Sequence, residues 1–261
     1  MVTAFVLVSG ASLAAAALLM AVTAVIGHRL GKVSVVDTSW GLGFVLIALV
    51  AAVLGDGADW RRWLLFALVG FWGLRLAWHM HRRNHGQPED ARYAAMLEGQ
   101  SYAVAVRRVF ATQGIALWFV SLPLQVSAVA GSGVTWVVAV GVVLWLVGVF
   151  FESVGDAQLA AYKRDPERGP VMDRGLWAWT RHPNYFGDTC VWWGIFLVAA
   201  SAWPGVLTVL SPVAMTYFLV FATGARLLEK HMAGRPSWDD YVARTSMFVP
   251  LPPRRPGRRA R

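Results

Sequence analysis

Residues 2–26 carry no Asp, Glu, Lys, Arg or His, a charge-free run of 25 positions. Coiled as a helix, such a run reaches about 37 Å, enough to cross a bilayer's hydrocarbon core with some tilt. Six further apolar runs follow, at residues 40–55, 63–80, 109–130, 134–151, 186–203 and 206–224. Lipid offers the backbone no hydrogen bonds, so runs of this length fold as helices that satisfy their own N–H and C=O groups. The sequence therefore predicts an all-α membrane protein of seven transmembrane helices. Residues 1–250 read as one polytopic domain and residues 251–261 as a disordered basic tail. The first run has no basic residue before it and exceeds a signal peptide's core, so it reads as a retained span.

Charge fixes the expected orientation. With seven spans, 21 of the 24 Lys and Arg residues fall on one side of the membrane. Only Arg61 and Arg62 fall on the other, and Arg75 lies inside a span. Positive loops stay cytoplasmic, which puts the N-terminus outside and the C-terminus inside, in a plasma (inner) membrane. With 57% hydrophobic residues and a mean hydropathy of +0.50, the net charge of +9 reads as topology and lipid contact rather than nucleic-acid binding. The single cysteine, Cys190, excludes an intramolecular disulfide and a CxxC redox pair. His79, His81 and His85 are too few for a desaturase-like metal box, so no metal is expected.

Polar residues concentrate where the last three spans begin or end on the cytoplasmic side. Residues 181–188 read Arg-His-Pro-Asn-Tyr-Phe-Gly-Asp, at the mouth of the sixth run. Pro183 biases His182 away from helix, which makes Asn184 a natural N-cap for a helix starting at Tyr185. The free N–H groups of that first turn, with Arg181 beside them, suit an anionic ligand. Asp188 repels phosphate but accepts from a ribose hydroxyl or a carboxamide, so a nucleotide fits better than bare phosphate. The alternative is that Asp188 and Arg181 pair only with each other. On the fifth span Glu152, Asp156 and Lys163 share one helical face, and after the seventh Arg226, Glu229 and Lys230 share another.

These pieces, with the Trp-Trp-Gly of residues 192–194, resemble the signature of the steroid 5α-reductase C-terminal superfamily, and more narrowly its bacterial DUF1295 branch. Asp37-Thr-Ser-Trp-Gly41, Gly73-Leu-Arg-Leu76, Glu89-Asp-Ala-Arg-Tyr93, the segment from Phe151 to Gln158 and the ending from Tyr241 to Pro250 match as well. The resemblance implies a helical membrane enzyme that binds NADPH from the cytoplasm and reduces a conjugated carbon–carbon double bond in a lipid or steroid-like substrate. Carried over by position, Asp156, Lys163, Asn184, Asp188 and Arg226 match the cofactor-contacting places of the reductases, and Glu229 stands near their tail histidine or glutamate. Arg164, Arg181, His182 and Tyr185 are candidate cofactor residues beside them. The chain departs from the reductases at Glu152, where they have an amide, and near Gly169 and Pro170, where a tyrosine is missing.

In that chemistry a hydrogen-bonding acid stabilises charge developing on the substrate carbonyl oxygen. Asp37, at the mouth of the second span, is the first candidate and Tyr93 the second. Asp37 is equally explained as an N-cap of its helix, and Tyr93 as an interface anchor. A rival enzyme reading is an S-adenosylmethionine-dependent methyltransferase of lipids or isoprenylcysteine, which shares the Arg-His-Pro-x-Tyr segment and a tail glutamate. A non-enzymatic transporter or lipid-binding protein would call for inverted repeats and broken helices, and the sequence has neither. Beyond a lipid-like substrate and membrane lipids, no obligate protein partner is implied.

Overall fold

A computed structural model of the chain describes residues 1–222 and 224–254. The described residues are helical with no named strand; the one isolated β-bridge joins Thr180 and Ser246. Long helices α1 (Val2–Leu30), α2 (Val35–Leu54) and α3 (Asp59–Asn84) come first, then a short α4 (Ala91–Leu97). A composite helix follows, with α5 (Tyr102–Ala105), a π-helical turn (Val106–Ala111) and α6 (Thr112–Val120), trailed by α7 (Leu122–Ser127). Next come α8 (Thr135–Arg164) and α9 (Pro183–Ala200). The last composite runs through α10 (Leu210–Tyr217), a second π turn (Phe218–Ala222) and α11 (Ala225–Met232), and α12 (Trp238–Arg244) closes the series.

Among the described residues six helices are long and apolar enough to cross a membrane. The helix expected as the sixth of seven spans, α9, is not among them. Its first turns carry Asn184, Tyr185 and Asp188, and these polar residues dilute the apolar run behind them. The helices also begin earlier than the charge-free runs. Val35 rather than Trp40 opens α2, and Asp59 rather than Trp63 opens α3. A helix continues past its apolar stretch as long as its end groups find partners. The tail residues 255–261 lie outside the described residues.

The chain forms two compact units, residues 1–139 with 195–211, and residues 140–194 with the chain from 212 on. In the first, α1 buries the stripe Val8, Ser12, Ala16, Met20 and Ala24 and leaves Leu7 and Leu18 exposed, as a helix bordered by lipid does. Helices α2 and α3 touch backbone to backbone at Gly41 and Gly73: a Cβ on Gly73 would lie 2.7 Å from the Gly41 carbonyl oxygen. Phe44, Ile47 and Trp72 fill the space around that crossing. Arg61, assigned by the sequence to an outer loop, is instead a fully buried residue in the first turn of α3. It donates to Ser127 Oγ (2.9 Å) and to the carbonyls of Ala130 (2.8 Å) and Gly131 (2.7 Å), supplying donors to a helix end that has lost its own.

In the second unit a seam of small residues joins α8 and α9. Gly148 and Gly155 face Gly187 and Pro183, and Gly194 meets the backbone of Gly141 and Trp145. The glycines recur at seven-residue spacing on each helix, which keeps one face of each against the other along a left-handed crossing. A Cβ on Gly148 would stand 2.6 Å from both Gly187 O and Val191 N. Those are backbone atoms and cannot rotate away. Gly148→Ala should therefore cost about 1–3 kcal/mol. Gly10→Ala, where nothing lies within 4 Å, should be neutral or slightly stabilising. Thermal melts of the two variants in detergent check the contrast.

Candidate functional site

Sequence-named polar residues gather in both units. In the first, the loop after α3 folds back onto the start of α2. The Glu89 carboxylate accepts the N–H groups of Val33 and Ser34 (3.1 Å for the latter), so the capping of α2 is done by Glu89. Asp37 is not the N-cap. It sits in the first turn of the helix, and Ser34 holds the cap position without a side-chain bond. Ser39, one turn on, accepts from Thr23 Oγ1 at 2.9 Å.

That leaves the Asp37 carboxylate for other partners. Tyr93, buried at the start of α4, donates its hydroxyl to Asp37 Oδ1 at 3.0 Å. Asn84 approaches Oδ2 at 3.5 Å, and an Arg92 guanidinium nitrogen lies 3.9 Å from it. Arg92 is fixed in turn by Asp90, which accepts its Nε and Nη2, both at 2.9 Å, and also its backbone N–H as the cap of α4. Those bonds to Arg92 hold the Asp90 carboxyl below its ordinary range and push the guanidinium up. A cavity of about 300 Å³ opens beside Tyr93, with His28, Val33, Glu89, Leu97 and Tyr102 in its wall. The two sequence-named acids, 56 residues apart, are thus directly bonded.

Asn84, Glu89 and Arg92 were not named as site residues by the sequence. The Glu-Asp-x-Arg-Tyr spacing of residues 89–93 was the available signal, because each of its charged members reaches the Asp37 neighbourhood directly or through the next.

In the second unit α9 begins at Pro183, which is tolerated at the first helical position because its missing N–H has no partner to lose there. Asn184 is therefore inside the helix rather than capping it. Its carbonyl oxygen takes the Tyr185 N–H (3.1 Å), and its amide nitrogen donates to Asp156 Oδ1 on α8 (3.2 Å). The glycine seam makes that contact possible, since Gly155, next to Asp156, packs against Pro183 and the Asn184 backbone. Arg181 donates from Nε to Glu229 Oε1 at 2.7 Å, and from Nη1 to the carbonyls of Thr245 (2.5 Å) and Val242 (3.3 Å) at the end of α12. His182 Nε2 lies 3.3 Å from the same Glu229 oxygen, and its ring stacks on Tyr185.

The structure therefore brings together Asp156 with Asn184, and Arg181 and His182 with Glu229. Asp188 is buried one turn beyond Asn184. Lys163 and Arg164, at the end of α8, are exposed. Arg226 is exposed too and lies over the Phe221 ring at 4.3 Å. Residues missed by the sequence are those that hold this cluster from behind. Trp177 donates to Gly155 O (3.0 Å), Tyr241 donates to Trp177 O (2.7 Å), and Thr180 bonds the C-terminal segment.

Fold and site together define a polytopic, all-helical protein of membrane type with paired acids and an Arg–His–Glu cluster in its polar parts. The chain belongs to the family described as "Protein of unknown function (DUF1295)", which it matches over residues 23–245. It is also similar to the steroid 5-alpha-reductase DET2 of Arabidopsis thaliana, with 30% identity over 77 residues. The match covers 29% of this chain and 29% of that relative, so the chain spans under a third of the length of the curated relative it matches. No solved structure matches.

Burial first, then the Asp37 charge, raise the Tyr93 phenol above its ordinary value of 10.0. A raised folded-state value contributes stability that is complete below the unfolded value and is lost as pH climbs through the folded one. Tyr93→Phe should flatten the loss of Tm above about pH 10. At neutral pH it should cost about 1 kcal/mol through the missing bond to Asp37. Melts followed by circular dichroism on both sides of that pH give the two numbers.

Proposed function

We propose that the protein is a membrane-bound, NADPH-dependent reductase of a conjugated carbon–carbon double bond in a lipid or steroid-like substrate. The observation that carries this reading is the part-buried hydrogen bond from Tyr93 to Asp37, a pair whose phenol proton could be passed to a carbonyl oxygen gaining charge. Family membership and the partial likeness to a plant steroid 5-alpha-reductase accord with it.

The donor set of the second unit fits a dinucleotide. Asp156 and Asp188 can accept from ribose hydroxyls, the Asn184 amide can both give and take, and Lys163, Arg164 and Arg226 can meet phosphates. When bound, NADPH supplies the hydride. The protein's own part is to hold that cofactor and to lower the barrier with a positioned donor. The Tyr93 phenol is held protonated by burial; its single O–H, given to Asp37 in the free protein, would turn to the substrate carbonyl on binding. Asp37 orients the phenol, while Asn84 and Arg92 orient Asp37. The cluster around Asn184 is assigned to the cytoplasmic side of a plasma membrane, the N-terminus to the outside, and α9 to a seventh span. Residues 1–250 are taken to act as one functional domain with no obligate protein partner.

The sharing of Glu229 by Arg181 and His182 favours one second reading. Lipid and isoprenylcysteine methyltransferases resemble the chain in the Arg-His-Pro-x-Tyr segment and a tail glutamate, and S-adenosylmethionine would then replace NADPH. Calorimetric titration of protein in nanodiscs with each cofactor separates the two: NADPH should bind, and binding of S-adenosylmethionine alone would sink the reductase reading. Asn184→Ala and Asp188→Ala should each weaken NADPH about tenfold or more with folded yield retained. Arg164→Glu or Arg168→Glu should weaken NADPH more than NADH, as meeting the extra phosphate requires; equal losses would refute that role.

A further inference from the structure

The segment after α12 doubles back along the residues that precede α9. Arg181 N donates to Ser246 O at 2.9 Å, and Leu251 N donates to Trp179 O at 3.0 Å, on either side of the bridge between Thr180 and Ser246. Thr180 is fully buried at the centre of this strap. Its hydroxyl donates to Phe248 O (2.8 Å), lies 3.2 Å from Met247 O, and accepts the His182 N–H at 3.3 Å. One hydroxyl therefore ties the strap to the residue that starts the Arg–His–Glu cluster.

The same strap grips Arg181. Thr245 O, at its root, accepts Arg181 Nη1, which leaves Nε directed at Glu229. An arginine side chain has many rotamers, and its value to a ligand site depends on those being removed beforehand. Here the removal is done by carbonyls of the chain's C-terminal segment. The Phe248 ring packs edge-on against Phe186 of α9, and Arg244 pairs with Asp173, so the strap is anchored at both ends.

We infer that Thr180 is a positioning residue for the nucleotide site: through its hydroxyl the C-terminal strap holds Arg181 and His182 on Glu229. The inference rests on the nucleotide-binding reading above and goes beyond it, since Thr180 touches no ligand itself. Thr180→Val keeps the side chain's shape and deletes the hydroxyl, leaving Phe248 O and the His182 N–H without it. Thr180→Ser keeps the hydroxyl.

The test combines NADPH titration with hydrogen–deuterium exchange of the strap, both on full-length protein in nanodiscs. In the wild type, NADPH should slow exchange across residues 245–251. Thr180→Val should raise the NADPH Kd about tenfold and speed that exchange, and Thr180→Ser should restore both to within about twofold. A Val variant whose strap exchanges freely while NADPH binds as in the wild type overturns the inference, because a purely structural bond behaves that way. If the Val variant does not fold, a wild-type strap whose exchange ignores NADPH overturns it equally. Wild-type protein that binds neither NADPH nor S-adenosylmethionine removes the nucleotide reading itself, at a step before any variant is compared.

Discussion

Backbone contact between α8 and α9 is the constraint on which the second unit is built. Water cannot drive two apolar helices together inside lipid, because the surrounding tails are as apolar as the side chains. What holds them is close packing, and the closest packing is available where Cβ atoms are missing. Gly148, Gly155, Gly187 and Gly194 supply that seam, with Glu152 backbone against Gly187. Its consequence is chemical. Once the axes are this near, Asp156 on one helix and Asn184 on the other fall within hydrogen-bond reach. A wider crossing would leave each polar group to face lipid, where it costs several kcal/mol.

The same cost explains how the remaining polar groups are placed. Arg61 buries a whole guanidinium and meets it with carbonyls of the loop that follows α7. Asp37 is met by Asn84 at the end of α3 and by Arg92 and Tyr93 from the short α4. Arg181 is met by Glu229 and by two carbonyls at the end of α12. In each case at least one partner comes from a short helix or from the residues just past a helix end.

The two clusters differ in character. That around Asp37 is a proton-bearing pair backed by an ion pair, with a cavity beside the phenol. That around Asn184 and Glu229 mixes carboxylates and an amide with an arginine and a histidine. The two clusters are drawn from different stretches of the sequence.

The long helices were legible in the sequence because charge-free runs of near 20 residues have few other ways to fold in lipid. The residue types of both clusters were legible too, since Asp37, Tyr93, Asn184 and Glu229 stand out against an apolar background. Where each helix begins was not, because Glu89 lies 55 residues beyond the end it caps and Pro183 opens α9 at a residue that local propensity left outside. Nor were the partners legible. Local spacing allowed Asp188 as a mate for Arg181, yet tertiary packing engages that guanidinium with Glu229 and the end of α12. The sequence alone determined which groups must be satisfied, through the cost of burying them bare; only the tertiary structure decided by whom, because a hydrogen bond depends on ångström distances that helix crossings set.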